Sequence, residues 1–192
     1  MVPLSSNNFS ETEQIELLEF ARQSINSGLT SGTGLEIDSQ NLAGNLLARL
    51  GVFVTLTKLG ILRGCVGSIE SPQPLAQSVA NAAFNSAFRD ARFPPVDVTE
   101  IDKIRIEISV LSELEPIDVI NRADLLAKLI SGQDGLVLED TGYRAIFLPK
   151  VWEMVSSPEE FLDHLLVKAG LTVDYWSETI SFKRYSAFSF AE

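Results

Sequence analysis

The sequence predicts an α+β fold of mainly antiparallel sheet with flanking helices, on three observations. Short turns, Lys58-Leu59-Gly60 and Asp140-Thr141-Gly142, join successive strand-like runs, as only antiparallel neighbours allow. Ile104, Ile106, Ile108 and Val110 alternate with Arg105, Glu107 and Ser109, the period of a strand with one packed and one wet face. Spacing that fits a βαβ unit occurs at most once, which argues against a parallel sheet.

In chain order, Ser10-Glu11-Thr12-Glu13 reads as a capping box. It opens a helix over about 11–27 whose apolar face carries Ile15, Leu18, Ala21 and Ile25 and whose end falls at Gly28. Residues 29–40, rich in Ser, Thr and Gly, read as a loop, and Leu42, Leu46, Leu47 and Leu50 as a short amphipathic turn or helix. The run 52–57, the turn at 58–60 and the run 61–69 form a hairpin. After the Ser71-Pro72-Gln73-Pro74 punctuation, Leu75, Val79, Ala82, Ala83 and Ala87 lay a small-residue stripe along a second helix. That helix gives way to the charged corner Arg89-Asp90-Ala91-Arg92-Phe93-Pro94-Pro95, where proline pushes its predecessor out of helical geometry. The strand 104–110 follows. Asn121 caps a helix that closes at Gly132, 136–138 and 143–148 form a hairpin, and a second capping box at Ser157-Pro158-Glu159-Glu160 opens a helix to Gly170. A closing strand over 180–190, bulged near Lys183-Arg184-Tyr185, completes the set.

With 192 residues and 45% hydrophobic content the chain has enough material for a sizeable core, as one domain or two fused lobes. No apolar run approaches the roughly 20 residues a membrane helix needs. The start, Met1-Val2-Pro3-Leu4, lacks the basic and apolar regions of a secretory signal, so the expected location is cytoplasmic. Residues 1–10 read as a flexible terminus. Cys65 is the sole cysteine and forms no internal disulfide, which fits a reducing compartment. With one His (His164) beside it, the Cys/His spacing of a zinc site is missing; the expectation is no metal and no cofactor. A net charge of −11, from 26 acids against 15 bases, repels polyanions and disfavours nucleic-acid binding.

The segment Ile61-Leu62-Arg63-Gly64-Cys65-Val66-Gly67 concentrates the chemistry. On a strand, Arg63 and Cys65 share a face with their Cα atoms about 7 Å apart, and a cation beside a thiol favours the thiolate. Gly64 and Gly67 clear space for a ligand or for a second backbone. Cys65 is thus read in three ways: a catalytic nucleophile, a noncovalent ligand contact, or a small buried hydrophobe. Arg63, Arg89 and Arg92 either converge on an anion or are held by Asp90, Asp97 and Glu100. Asp90 is read as a hydrogen-bond acceptor for backbone or arginine before a base. Glu107 sits on the wet face of its strand, His164 at a surface or core edge, and Phe53, Phe93, Trp152 and Trp176 are read as core.

Five ordered segments, Gly51-Val52-Phe53-Val54-Thr55-Leu56, Leu62-Arg63-Gly64-Cys65-Val66-Gly67, the Arg89 to Pro95 corner, Ile106-Glu107-Ile108-Ser109-Val110-Leu111 and Phe147-Leu148-Pro149-Lys150-Val151, resemble the AMMECR domain family over about 11–190. Two departures stand out. The family's Asp-Pro-Arg-Phe corner is Asp90-Ala91-Arg92-Phe93 here, and its Gly-Lys-(Asp/His)-Gly turn is Gly132-Gln133-Asp134-Gly135, without the lysine. The resemblance implies a single domain over 11–190 made of two intertwined lobes sharing a cleft, in a cytosolic setting. It also implies Memo-like or radical-SAM protein companions, and it implies no particular reaction. The leading expectation is therefore a cleft that binds an anionic small molecule, nucleotide or modified residue through Arg63, Gly64, Cys65, Gly67, Arg89, Asp90 and Arg92, with Cys65 as the candidate for thiol catalysis. The competing expectation is a noncatalytic module that docks such a companion.

Overall fold

Ser10 opens the first helix, α1 (Glu11–Ser31), with both halves of the expected capping box: its hydroxyl accepts the Glu13 N–H, and the Glu13 carboxylate accepts the Ser10 N–H at 2.8 Å. The helix does not stop at Gly28. It continues to Ser31 and closes at Gly32, φ 76°, whose N–H donates to the Gly28 carbonyl. Gly28 instead lies inside the helix with the Phe88 ring against it, so packing on a second helix carries α1 past a weak helix former.

The computed structural model describes residues 9–192, which divide into two compact units. One holds the chain up to Leu111 together with Phe188–Glu192; the other is Ser112–Ala187. Residues 1–8 of the expected flexible terminus lie outside the described residues. Within them, Phe9 is buried and its ring stacks on Phe188 at 6.0 Å.

In the first unit, two 3-10 turns, Ser39–Asn41 and Gly44–Leu47, occupy the stretch read as loop and amphipathic turn. The expected hairpin is β1 (Val52–Lys58) and β2 (Ile61–Ser68). It is followed by α2 (Leu75–Phe88), β3 (Ile104–Leu111) and, from the far end of the chain, β8 (Ala187–Ala191). The sheet order is β2-β1-β3-β8, which makes β2 an edge strand. Val52, Val54, Leu56, Ile104, Ile106, Ile108 and Val110 form the buried face and share one core with Leu17, Ala21 and Ile25 of α1 and Leu75, Val79 and Ala83 of α2. Each fully buried Val, Leu or Ile side chain there contributes about 1.5–3 kcal/mol. Strand pairing sets Cys65 opposite Thr55 and Thr55 opposite Glu107, on the other face.

The second unit builds its own antiparallel sheet, β4 (Glu115–Ile117), β7 (Ser181–Tyr185), β5 (Gly135–Asp140) and β6 (Tyr143–Phe147) in that order. Its helices are α3 (Arg122–Lys128) and α4 (Pro158–Lys168). Leu136, Leu138, Phe161, Leu162, Leu165 and Phe182 are among its core residues. Four expectations change. The closing strand is two strands, β7 and β8, which join different sheets. The break falls at Ser186, whose N–H donates to the Ser112 hydroxyl and whose carbonyl accepts the Ser112 N–H. β4 went unanticipated because it is three residues long and contains Pro116, tolerated only at an edge. α3 ends at Lys128 and not at Gly132, since Leu129 turns extended. At α4, Ser157 accepts the Glu160 N–H, but the Glu160 carboxylate takes the Ser156 N–H in place of a reciprocal bond to Ser157.

No helix among the described residues is long and apolar enough to cross a membrane.

Candidate functional site

β2 lies close against two backbones, α2 at Gly64 and its hairpin partner β1 at Gly67, and these approaches explain the two glycines of the motif. A Cβ on Gly64 would stand 2.1 Å from the Ser86 carbonyl oxygen, and one on Gly67 would stand 2.1 Å from the Val52 carbonyl oxygen. The space both glycines clear is thus filled by the protein's own backbone. Ser86 exploits the contact: its hydroxyl accepts the Val66 N–H and donates to the Val54 carbonyl, both at 2.8 Å, standing between the two strands of the hairpin. The register slips between Leu56 and Thr57, where Leu56 pairs with Gly64 and Thr57 with Leu62, leaving Arg63 as the extra residue.

Cys65 is a half-buried free thiol. The Thr55 hydroxyl lies 3.4 Å from its Sγ as a donor. Its backbone N–H donates to Asp90 Oδ2 at 2.9 Å, and its carbonyl accepts from Arg92 Nη2 at 3.1 Å. The corner thus satisfies both outward main-chain groups of an edge residue, as a neighbouring strand would. Arg92 in turn grips Asp90 with Nε on Oδ1 (2.9 Å) and Nη2 on Oδ2 (2.7 Å), while its own N–H donates to Oδ1. This fork, with the Cys65 amide added, holds the Asp90 carboxyl far below the usual carboxylate range despite its burial. Asp90 is therefore a structural acceptor and a poor base. The Arg92 side chain stays 56% exposed, and its Nη1 carries no hydrogen bond among the described residues.

Arg63 is held elsewhere. Its Nε and Nη2 fork onto Glu100 at 3.2 and 2.7 Å, Lys58 reaches the same carboxylate at 2.7 Å, and no hydrogen bond joins Arg63 to the sulfur. Arg63, then Lys58, bring the Glu100 carboxyl down to about 2. Arg63 Nη1 is buried without a hydrogen-bond partner among the described residues, with the guanidinium carbon 6.0 Å from the Phe93 ring centroid. Arg89 caps α2 and sets its exposed guanidinium 5.1 Å from the Phe84 ring centroid. The three guanidiniums have different partners: Arg63 forks onto Glu100, Arg92 onto Asp90, and Arg89 lies over the Phe84 ring, while Arg63 and Arg92 both lie against the Phe93 ring, at 6.0 and 5.5 Å from its centroid.

Two residues central to this arrangement escaped the sequence reading. Ser86 sits in the buried stripe of α2 as a small polar residue among alanines, a signal that was present. Thr55 had none beyond its strand position. His164 is exposed on α4 in the other unit. Trp152 stacks on Phe161 with centroids 3.9 Å apart, and Trp176 on Phe182 at 5.6 Å; both indoles are partly buried and packed against that unit's core, not inside it. Among the described residues no group of three or more His, Cys, Asp or Glu is placed to hold a metal ion.

The fold and corner together define an α+β protein whose edge-strand motif is locked by a carboxylate–guanidinium fork. The AMMECR1 family model matches residues 18–190, and the chain belongs to that family. A protein of Methanothermobacter thermautotrophicus is 40% identical over 166 residues, spanning 86% of each chain. One of Thermofilum pendens is 35% identical over 182 residues, 87% of this chain and 83% of its own. The crystal structure of PH0010 from Pyrococcus horikoshii matches with a TM-score of 0.82 at 34% identity, covering 92% of this chain and 89% of that one.

Proposed function

We propose that the Cys65–Arg92 corner recognises an anionic group, carried by a small molecule, a nucleotide or a modified residue, and that it does so noncovalently, in a cytoplasmic domain spanning 11–190. The observation behind this is the Arg92 guanidinium, held rigid through two of its nitrogens yet 56% exposed, beside a half-buried thiol. A fixed, planar donor loses little freedom when a phosphate or carboxylate docks on its open side. Arg63 and Asp90 shape the corner, Gly64 and Gly67 let its backbones meet, and Arg89 stands as an exposed flanking cation. Among the described residues the hydrogen bond to the Cys65 sulfur comes from a hydroxyl donor, and Asp90 is fully engaged, which favours noncovalent recognition.

Thermal melts with inorganic phosphate, AMP and citrate test the reading. A ligand at 100 times its dissociation constant stabilises by about 2.7 kcal/mol, an upward shift of several degrees. Arg92→Gln should abolish the shift, and bound ligand should slow alkylation of Cys65 by iodoacetamide. No shift with any of the three, or the same shift in Arg92→Gln, overturns it.

A second reading, a noncatalytic module for a Memo-like or radical-SAM partner, is favoured by the hairpin tip. Leu59 is 82% exposed with φ 53°, a left-handed conformation that costs a leucine about 1–2 kcal/mol, and Ile61 beside it is 73% exposed. Co-elution with such a partner that is lost in Leu59→Asn supports this reading; co-elution unaffected by that change counts against it.

A further inference from the structure

A cavity of about 300 Å³ opens within the unit Ser112–Ala187, bounded by Glu115, Ile130, Gln133, Asp134 and Arg184. Asp134 is its fixed point. Its backbone carbonyl accepts the Trp152 indole N–H at 2.7 Å, and its Oδ2 accepts the Ile130 N–H at 2.8 Å with Arg184 Nη1 at 3.5 Å. The carboxylate is only 8% exposed, yet Oδ1 has no hydrogen-bond partner among the described residues. Arg184 is likewise half-engaged. Nη1 is shared between Asp134 and the Lys128 carbonyl, while Nε and Nη2 carry no hydrogen bond among the described residues.

An open acceptor oxygen on a largely buried carboxylate and an adjacent, unspent pair of N–H donors in one small cavity fit a ligand that brings both charges. The lining carries two carboxylates, Asp134 and Glu115, and one guanidinium, Arg184, so a lone anion meets two like charges and a lone cation leaves the Arg184 N–H donors unspent. A zwitterion satisfies both, with charge-assisted hydrogen bonds at each end. The volume lies at the small end of ligand pockets, and the half-exposed Ile130 offers an apolar wall for a short side chain. Burial pushes the Asp134 carboxyl up, so an ammonium partner would relieve the cost of keeping it ionised there.

We propose that this cavity binds a small zwitterion of the α-amino-acid type, its ammonium on Asp134 Oδ1 and its carboxylate on the unengaged N–H groups of Arg184. The residues are distinct from those of the Cys65–Arg92 corner, so either proposal can fail alone. Backbone-amide NMR of the full chain, titrated with glycine, L-alanine, L-glutamine and L-lysine, tests it, with methylamine and acetate as single-charge probes. At least one amino acid should shift the amides of Gly132–Gly135 and Arg184–Ser186 saturably with a dissociation constant below about 1 mM, and both single-charge probes should bind at least about tenfold more weakly. Asp134→Asn should weaken the amino acid about tenfold or more. No saturable shift of those amides in the unmodified protein overturns the proposal, whatever the variant does. So does methylamine binding as tightly as the amino acids, and so does undiminished binding by a folded Asp134→Asn.

Discussion

The molecule uses arginine–carboxylate pairs in two contrasting ways. At the Arg92–Asp90 and Arg63–Glu100 pairs every carboxylate oxygen is engaged: Asp90 takes four N–H donors and Glu100 takes Lys58, two Arg63 nitrogens and the Asp97 amide. At Arg184–Asp134 one carboxylate oxygen and two guanidinium nitrogens are left over. The titration follows the same division. Asp90 and Glu100 are held below their ordinary range by their partners, whereas burial holds Asp134 above it. A saturated carboxylate acts as scaffold even where its arginine keeps an open nitrogen, as at Arg63 and Arg92, and a carboxylate with an open oxygen is poised for something else to complete it.

The largest expected effect breaks the scaffold where nothing can yield. Gly64→Ala puts a methyl 2.1 Å from a backbone oxygen of α2, so helix and strand must separate. We expect a loss of about 3 kcal/mol or more in urea unfolding. A loss below about 1 kcal/mol would mean the α2–β2 approach is loose, and with it the fixed placing of the corner.

Next comes Glu100→Gln, which leaves the nearly buried Arg63 without its counter-charge. Breaking a buried pair from one side costs about 3 kcal/mol. The acid dependence sharpens this. Glu100 is depressed from 4.5 to about 2 in the folded protein, so its contribution is complete above pH 4.5 and is lost as pH falls from there through 2. Asp90, depressed from 3.8, adds a loss of the same sign below pH 3.8. Stability of the unmodified chain should therefore drop steeply below pH 4.5, and Glu100→Gln should flatten that slope. An unchanged slope would show that Glu100 is no keystone.

The contrast also explains what could be read from the sequence. The hairpin carrying Cys65, the alternating strand β3, the Ser10 cap and the Asn121 cap are local patterns: turn chemistry, a period of two, and a side chain reaching three residues ahead. The Arg-Gly-Cys motif was visible because the sole cysteine stands two residues from an arginine in an otherwise apolar run. Partner choice was not visible. Arg63 turned to Glu100, 37 positions away, because a bulge at the Leu56/Thr57 step broke the simple alternation that would have set it beside the sulfur. Ser186 splits one apparent strand between two sheets through bonds to Ser112, 74 positions earlier, and no local signal encodes that. The Gly132–Gly135 turn showed only as a departure from a family pattern; the cavity beside it needs Arg184 and Glu115 brought in by pairing of β7 with β5 and β4.

The smallest expected effect is the one that separates the two kinds of pair most cleanly. Asp134 is raised from 3.8 in the folded protein, so the native state holds its proton more tightly than the unfolded chain does, and stability falls as pH rises through the window above 3.8. Replacing the carboxylate by an amide removes that penalty, while the Asn oxygen can still accept the Ile130 N–H. Asp134→Asn should thus unfold within about 1 kcal/mol of the unmodified protein at pH 7, on the stabilising side if it moves at all. Asp90→Asn, which forfeits a saturated fork, should lose clearly more. A carboxylate that can be neutralised at no cost to the fold is one the fold does not need in ionised form, which is the stability–function trade-off expected of a binding group. If the two asparagine variants lose the same stability, Asp134 belongs with the scaffold and the distinction between saturated and unsaturated pairs collapses.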